Sequence, residues 1–168
     1  MRKTSTYARK RAMRQANVSP GFDKVIGRCQ QYDGNSIFNP DEHLLPVRLA
    51  LQCLIDRSVP TDDIRNHDTL AHAIGEAEVR YLEIGGRDNN PAMPVLIKAG
   101  KALNRARDRW ERLGVWGLDG PAIQELKDGI DLYEQVLLMS TPQQMHDASM
   151  KRWRWCQMQM SGELKRAA

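Results

Sequence analysis

The stretch Ala92–Gly114, AMPVLIKAGKALNRARDRWERLG, carries the clearest architectural signal in the chain. Within it Leu96, Ala99, Leu103, Ala106, Trp110 and Leu113 recur in alternating steps of three and four. That rhythm gathers them on one seam of an α-helix, the pattern of a helix packed on other helices. Gly114 follows the last periodic residue and stops the helix. The spacing therefore predicts a helix over about 92–113 with an inward apolar seam.

Downstream, the same rhythm returns in Ile123, Leu126, Ile130, Tyr133 and Leu137, over a helix of about 120–139. Asp119 is its cap and Pro121 lies in its first turn. The next helix opens on Thr141-Pro142-Gln143-Gln144 and runs to about 160. Thr at the cap with Gln three residues on is a capping box, with Pro at the first helical position. Upstream, a helix of about 62–84 buries Ile64, Leu70, Ile74, Ala77, Tyr81 and Ile84. Thr61 caps it, Asp62 and Asp63 favour its positive end, and Gly85-Gly86 stops it. The first helix spans about 45–57, with Pro46 in its first turn and Leu44, Val47, Ala50, Leu51, Leu54 and Ile55 facing inward. β-branched clusters are scarce, and short links between long helices imply antiparallel neighbours. The expected fold is all-α: an antiparallel bundle of about five helices over 44–160. A basic arm (1–19), helical in part, and a turn-rich segment (20–43) precede it, and a basic tail (161–168) follows. Phe22, Ile26, Tyr32, Ile37 and Phe38 are candidates to pin the turn-rich segment to the body.

The chain's 168 residues carry 25 Lys+Arg and 21 Asp+Glu, a net charge of +4 that conceals unlike parts. Residues 1–14 hold Arg2, Lys3, Arg9, Lys10, Arg11 and Arg14 with no acid, for +6. Residues 151–168 hold five bases against Glu163, for +4, so residues 15–150 carry −6. Within the body the sign alternates by helix. The second and fourth are acidic, while the third has Lys98, Lys101, Arg105, Arg107, Arg109 and Arg112 against Asp108 and Glu111. If the acidic helices flank the third, its cations pair with both, setting orientation more than stability. Basic ends suit phosphate backbones or acidic protein surfaces. No apolar run approaches the roughly 18 residues of a membrane span, and the basic N-terminus lacks a secretory apolar stretch. A cytoplasmic location is the expectation. Cys29, Cys53 and Cys156 are widely spaced, without a C-x-x-C pair, and suit reduced, partly buried thiols.

Candidate chemistry is sparse. His67-Asp68 and His146-Asp147, with His43 upstream and Asp131 downstream, can be written in the His…His-Asp…Asp order of helical metal-dependent phosphohydrolases. Asp68 and His72, spaced i,i+4, are equally a routine surface pair. No nucleophile elbow, phosphate-binding glycine loop or H-E-x-x-H occurs. Neither a catalytic site nor a cofactor is therefore expected. Lys151-Arg152-Trp153-Arg154-Trp155 interleaves cations with indoles, a pattern able to stack on bases while neutralising phosphates. On a helix Trp153 and Trp155 stand about 200° apart, so at least one is expected to be exposed or half-exposed. The five methionines from Met139 to Met160 read chiefly as core filling.

The words LALQCL (49–54), TLAHAI (69–74), IKAGKAL (97–103) and LDGPAIQELKDGIDLYEQVLLMSTPQQM (118–145) resemble a group of small helical proteins carried by phages, prophages and plasmids of proteobacteria. The resemblance covers about 44–155 and implies a mobile-element origin, with no catalytic residue to carry over. With the charge pattern, it points to a non-enzymatic interaction protein that binds a host or phage protein or nucleoprotein complex. Inhibition of a defence system, in the manner of anti-CRISPR proteins, is one form, with acidic helices two and four docking as a phosphate mimic. The interface candidates are the six cations of the arm and Lys151, Arg152, Trp153, Arg154 and Trp155. The alternative is a nucleic-acid-binding regulator or accessory protein that uses the arm, the third-helix cations and the C-terminal Arg/Trp segment.

Overall fold

A computed structural model describes residues 39–57, 64–85 and 90–161, with side chains to Met158. The six arm cations, Phe22, Ile26, Cys29, Tyr32, Ile37, Phe38, Thr61 to Asp63 and the tail from 162 lie outside the described residues. Among those described, every regular element is an α-helix: α1 Pro40–Ile55, α2 Arg65–Gly85, α3 Ala92–Leu113, α4 Gly120–Met139 and α5 Pro142–Ser161.

The ends of the helices follow local chemistry. The Asp119 carboxylate accepts from the Ala122 N–H at 2.7 Å. Thr141 and Gln144 close the capping box reciprocally, at 3.3 and 2.9 Å. Gly114 takes φ 73° and donates its N–H to the Trp110 carbonyl, a left-handed stop that favours glycine. Between α2 and α3, Asn90 donates to the Tyr81 carbonyl and accepts from the Ala92 N–H.

The first helix starts earlier than the sequence suggests. It begins at Pro40, so residues 40–43 are helical and Pro46 lies inside the helix. Asn39 caps it through the Asp41 N–H at 3.1 Å, Pro40 takes the first position, and Asp41 and Glu42 stand on the positive end. These are also turn-forming residue types, which is why they read as loop. Pro46 is exposed, and the helix forgoes the bond its nitrogen would have donated to the Glu42 carbonyl.

The central helix is α2, which packs against α1, α3, α4 and α5. It runs antiparallel to α3, with His67 meeting Leu103 and Tyr81 meeting Asn90. It runs parallel to α4, with Glu76 meeting Tyr133 and Tyr81 meeting Gln135. Leu44 and Leu54 of α1, Leu70 of α2, Leu96 of α3, and Leu126, Val136 and Leu137 of α4 are fully buried at the centre. A Cβ added at Gly129 would stand 2.7 Å from both the Ala99 Cβ and the Ile74 Cδ1, so glycine sets how closely α2, α3 and α4 approach. The inward seams follow the sequence reading except at Ile84 and Leu113, which are 55% and 61% exposed. Each sits in the last turn of its helix, where the chain departs from its packing partners.

Candidate functional site

The interleaved segment Lys151–Trp155 lies on α5. Its cations serve three different ends. Lys151 is exposed but ion-paired with Glu83 of α2. Arg152 lies against α2: a Cβ at Gly75 would stand 2.7 Å from its Cδ and closer still to its Nε. Arg154 is exposed. Trp153 and Trp155 are both half-buried.

Arg152 borders a polar cluster that holds α5 on α2. Glu76 is buried and accepts from the Tyr133 hydroxyl at 3.0 Å. His72 Nε2 lies 3.0 Å from Glu76 Oε1 and 3.2 Å from Ser149 Oγ. Burial works to raise the Glu76 carboxyl, but the adjacent His72, with hydrogen bonds from His72, Ser149 and Tyr133, holds it below its ordinary range. Burial works to lower His72, but the charge and hydrogen bond of Glu76 outweigh both that and the nearby Arg152, and the imidazole is raised. One turn on, buried Arg80 donates to Ser140 Oγ at 3.1 Å and pairs with Glu83, whose carboxyl is held low despite burial by Lys151 and Arg80. Ser149, His72 and Glu76 are the residue types of a nucleophile relay. Such a relay needs serine and carboxylate on opposite ring nitrogens, whereas here both meet Nε2. The arrangement is a helix clamp.

The sequence reading misses this cluster because it pairs His72 with Asp68. The structure pairs His72 with Glu76 and sets Asp68 beside the His67 ring at 3.2 Å. The i,i+4 spacing of His72 and Glu76, with Gly75 between them on a central helix, was the available signal.

His67 is buried, its Nε2 donating to the Leu103 carbonyl at 3.3 Å and its ring 5.5 Å from that of Trp116. Trp116 in turn stacks on Trp110 at 4.9 Å. Among the described residues no group of three or more His, Cys, Asp or Glu could hold a metal ion. Cys53 and Cys156 are half-buried and form no disulfide.

The cations of α3 make a different surface. At about 100° per residue, Lys98, Lys101, Arg105, Arg109 and Arg112 fall within an arc of about 80°. The buried Leu96, Ala99, Leu103 and Ala106 occupy the other side. Lys98, Lys101, Arg105 and Arg112 are exposed and Arg109 half-exposed. The expected pairing with both flanking helices occurs on one side only. Arg105 pairs with Glu125 of α4 at 2.5 Å. On α2, Glu76 turns into the clamp and Glu83 binds Arg80 and Lys151. Arg107 pairs along α3 with Glu111. Among the described residues Lys98, Lys101, Arg109 and Arg112 make no ion pair.

No family model, curated protein or solved structure matches the chain. No described helix is long and apolar enough to cross a membrane.

Proposed function

We propose that this chain is a non-enzymatic interaction protein that engages an anionic partner, a protein or nucleoprotein complex, through the outer face of α3. The carrying observation is the contrast between its acids and its cations. Glu76, Glu83, Glu125 and Glu134 are engaged within the fold, whereas four cations of α3 point outward without an ion pair among the described residues. A coherent face of unpaired charge steers complementary partners and suppresses wrong ones. With Glu76 turned into the clamp and Glu83 shared by Arg80 and Lys151, the unpaired cations of α3 carry this reading rather than the acids of α2. The resemblance to mobile-element proteins supplies the context, in which interference with a host defence complex is one concrete form. The basic arm and the C-terminal cations add positive charge to the same chain.

The test is capture from bacterial lysate, before and after nuclease treatment. The bait is either the natural chain or a variant with Lys98, Lys101, Arg109 and Arg112 replaced by Gln. Partners that elute with salt and are absent from the variant capture are the expected result. Equal capture by both baits, or none by either, overturns the proposal.

A further inference from the structure

Resting on the reading of α3 as the partner face, we infer that its outer stripe is a docking site for the phosphate backbone of duplex nucleic acid, with Glu125 competing for its middle cation. From Lys98 to Arg112 the stripe is about 21 Å long at helical rise, a length of duplex that presents about 12 phosphates. A rigid helix holds the five cations in register, so no backbone ordering is left for the moment of binding and the remaining cost is the ordering of the Lys and Arg side chains.

The chemistry of the stripe separates a paired strand from other anions. Unpaired strands are bound by aromatic faces placed among cations. The aromatic residue of α3, Trp110, is buried and stacked on Trp116, so the stripe has no face on which a base can stack. Acidic protein surfaces are usually anchored by apolar or aromatic side chains at the centre of the contact. Here the exposed apolar residues of α3, Ile97 and Leu113, stand at its two ends, and the centre holds cations with one exposed acid, Asp108, at the margin of the stripe. Because α3 packs against α2 on one side and α4 on the other, its outer face meets a backbone without entering a groove. Backbone contacts position a protein and carry no base readout, so the site is indifferent to sequence.

Arg105 is the middle cation, and its guanidinium is held by Glu125 of the neighbouring helix. A phosphate must replace that carboxylate to use it. Glu125 therefore sets the affinity of the face without touching the nucleic acid.

The experiment is a salt titration of the full chain against a labelled mixed-sequence duplex of about 20 base pairs, by fluorescence anisotropy. Matched single strand, polyglutamate and anionic phospholipid vesicles serve as competitors. The K98Q/K101Q/R109Q/R112Q variant should weaken binding by more than tenfold at low salt and flatten the slope of log affinity against log salt by about 3–4. E125Q should tighten binding and steepen the slope by about one. Circular dichroism of both variants should match the natural chain, since the substituted side chains are exposed or half-exposed. An unchanged slope in the quadruple variant, unchanged or weaker binding by E125Q, or preferential competition by single strand or vesicles overturns the duplex assignment. Binding to polyglutamate without duplex overturns the assignment while sparing the broader reading of an anionic partner. Binding to neither overturns both.

Discussion

Among single residues the most consequential is Glu76, a carboxylate that the charge count places on the acidic body and the fold places in the interior. Its burial is tolerable because His72 and Tyr133 both meet it, the condition for a buried charge to persist. Glu76→Ala should lower stability by about 3–5 kcal/mol, since it removes the carboxylate that His72 and Tyr133 share. Tyr133→Phe should lower it by about 1.5–3 kcal/mol, the range for a hydrogen bond to a charged group. Both are read from urea unfolding. The cluster also makes stability depend on pH from two sides. Glu76 is lowered, so its contribution is present above the ordinary value of 4.5 and lost as pH falls through its folded value. His72 is raised, so its contribution is present below the ordinary value of 6.5 and lost as pH rises through its folded value. The pair's stabilisation should therefore peak between 4.5 and 6.5. The urea midpoint of the natural chain should fall above that window relative to His72→Gln, and a constant difference between the two across pH 5–8 would contradict the clamp.

At the scale of elements, two glycines within helices test the packing in opposite directions. Gly100 of α3 has nothing within 4 Å of an added Cβ, so Gly100→Ala should stabilise by about 0.5–1 kcal/mol through helix propensity alone. Gly129 of α4 has Ala99 and Ile74 at 2.7 Å from an added Cβ, so Gly129→Ala should destabilise by about 1–3 kcal/mol despite the same propensity gain. Equal effects at the two sites would show that α2, α3 and α4 do not approach as described. Calorimetric melting of the two variants settles the sign. The extents of α3 and α4 were legible because their signals are local: a seam of three-and-four steps, Asp119 at one start, Gly114 at one stop. The start of α1 was not, because Asn39, Pro40 and Asp41 suit a turn and a helix cap equally. The His72–Glu76 clamp was not legible either. Its closure needs Tyr133 and Ser149 from helices 57 and 77 residues away in sequence.

At the scale of the whole molecule, Glu76, Glu83, Glu125 and Glu134 are engaged within the fold, while four cations on one face of α3 have no ion pair among the described residues. The sequence counts the cations of α3, but only the packing reveals which have an internal partner, since Arg105 finds Glu125 across helices while Lys98 and Lys101 find none among the described residues. The interleaved Arg/Trp segment, the most conspicuous binding pattern in the sequence, is instead partly folded onto α2. Partners should accordingly meet the outer face of α3 and leave the clamp between α2 and α5 undisturbed. Side-chain and amide NMR of the isotopically labelled chain during duplex titration separates the two surfaces. Shifts should concentrate at Lys98, Lys101, Arg105, Arg109 and Arg112, with the signals of His72 and Arg152 unmoved. Shifts concentrated on α5, with the α3 cations silent, would contradict α3 as the partner face.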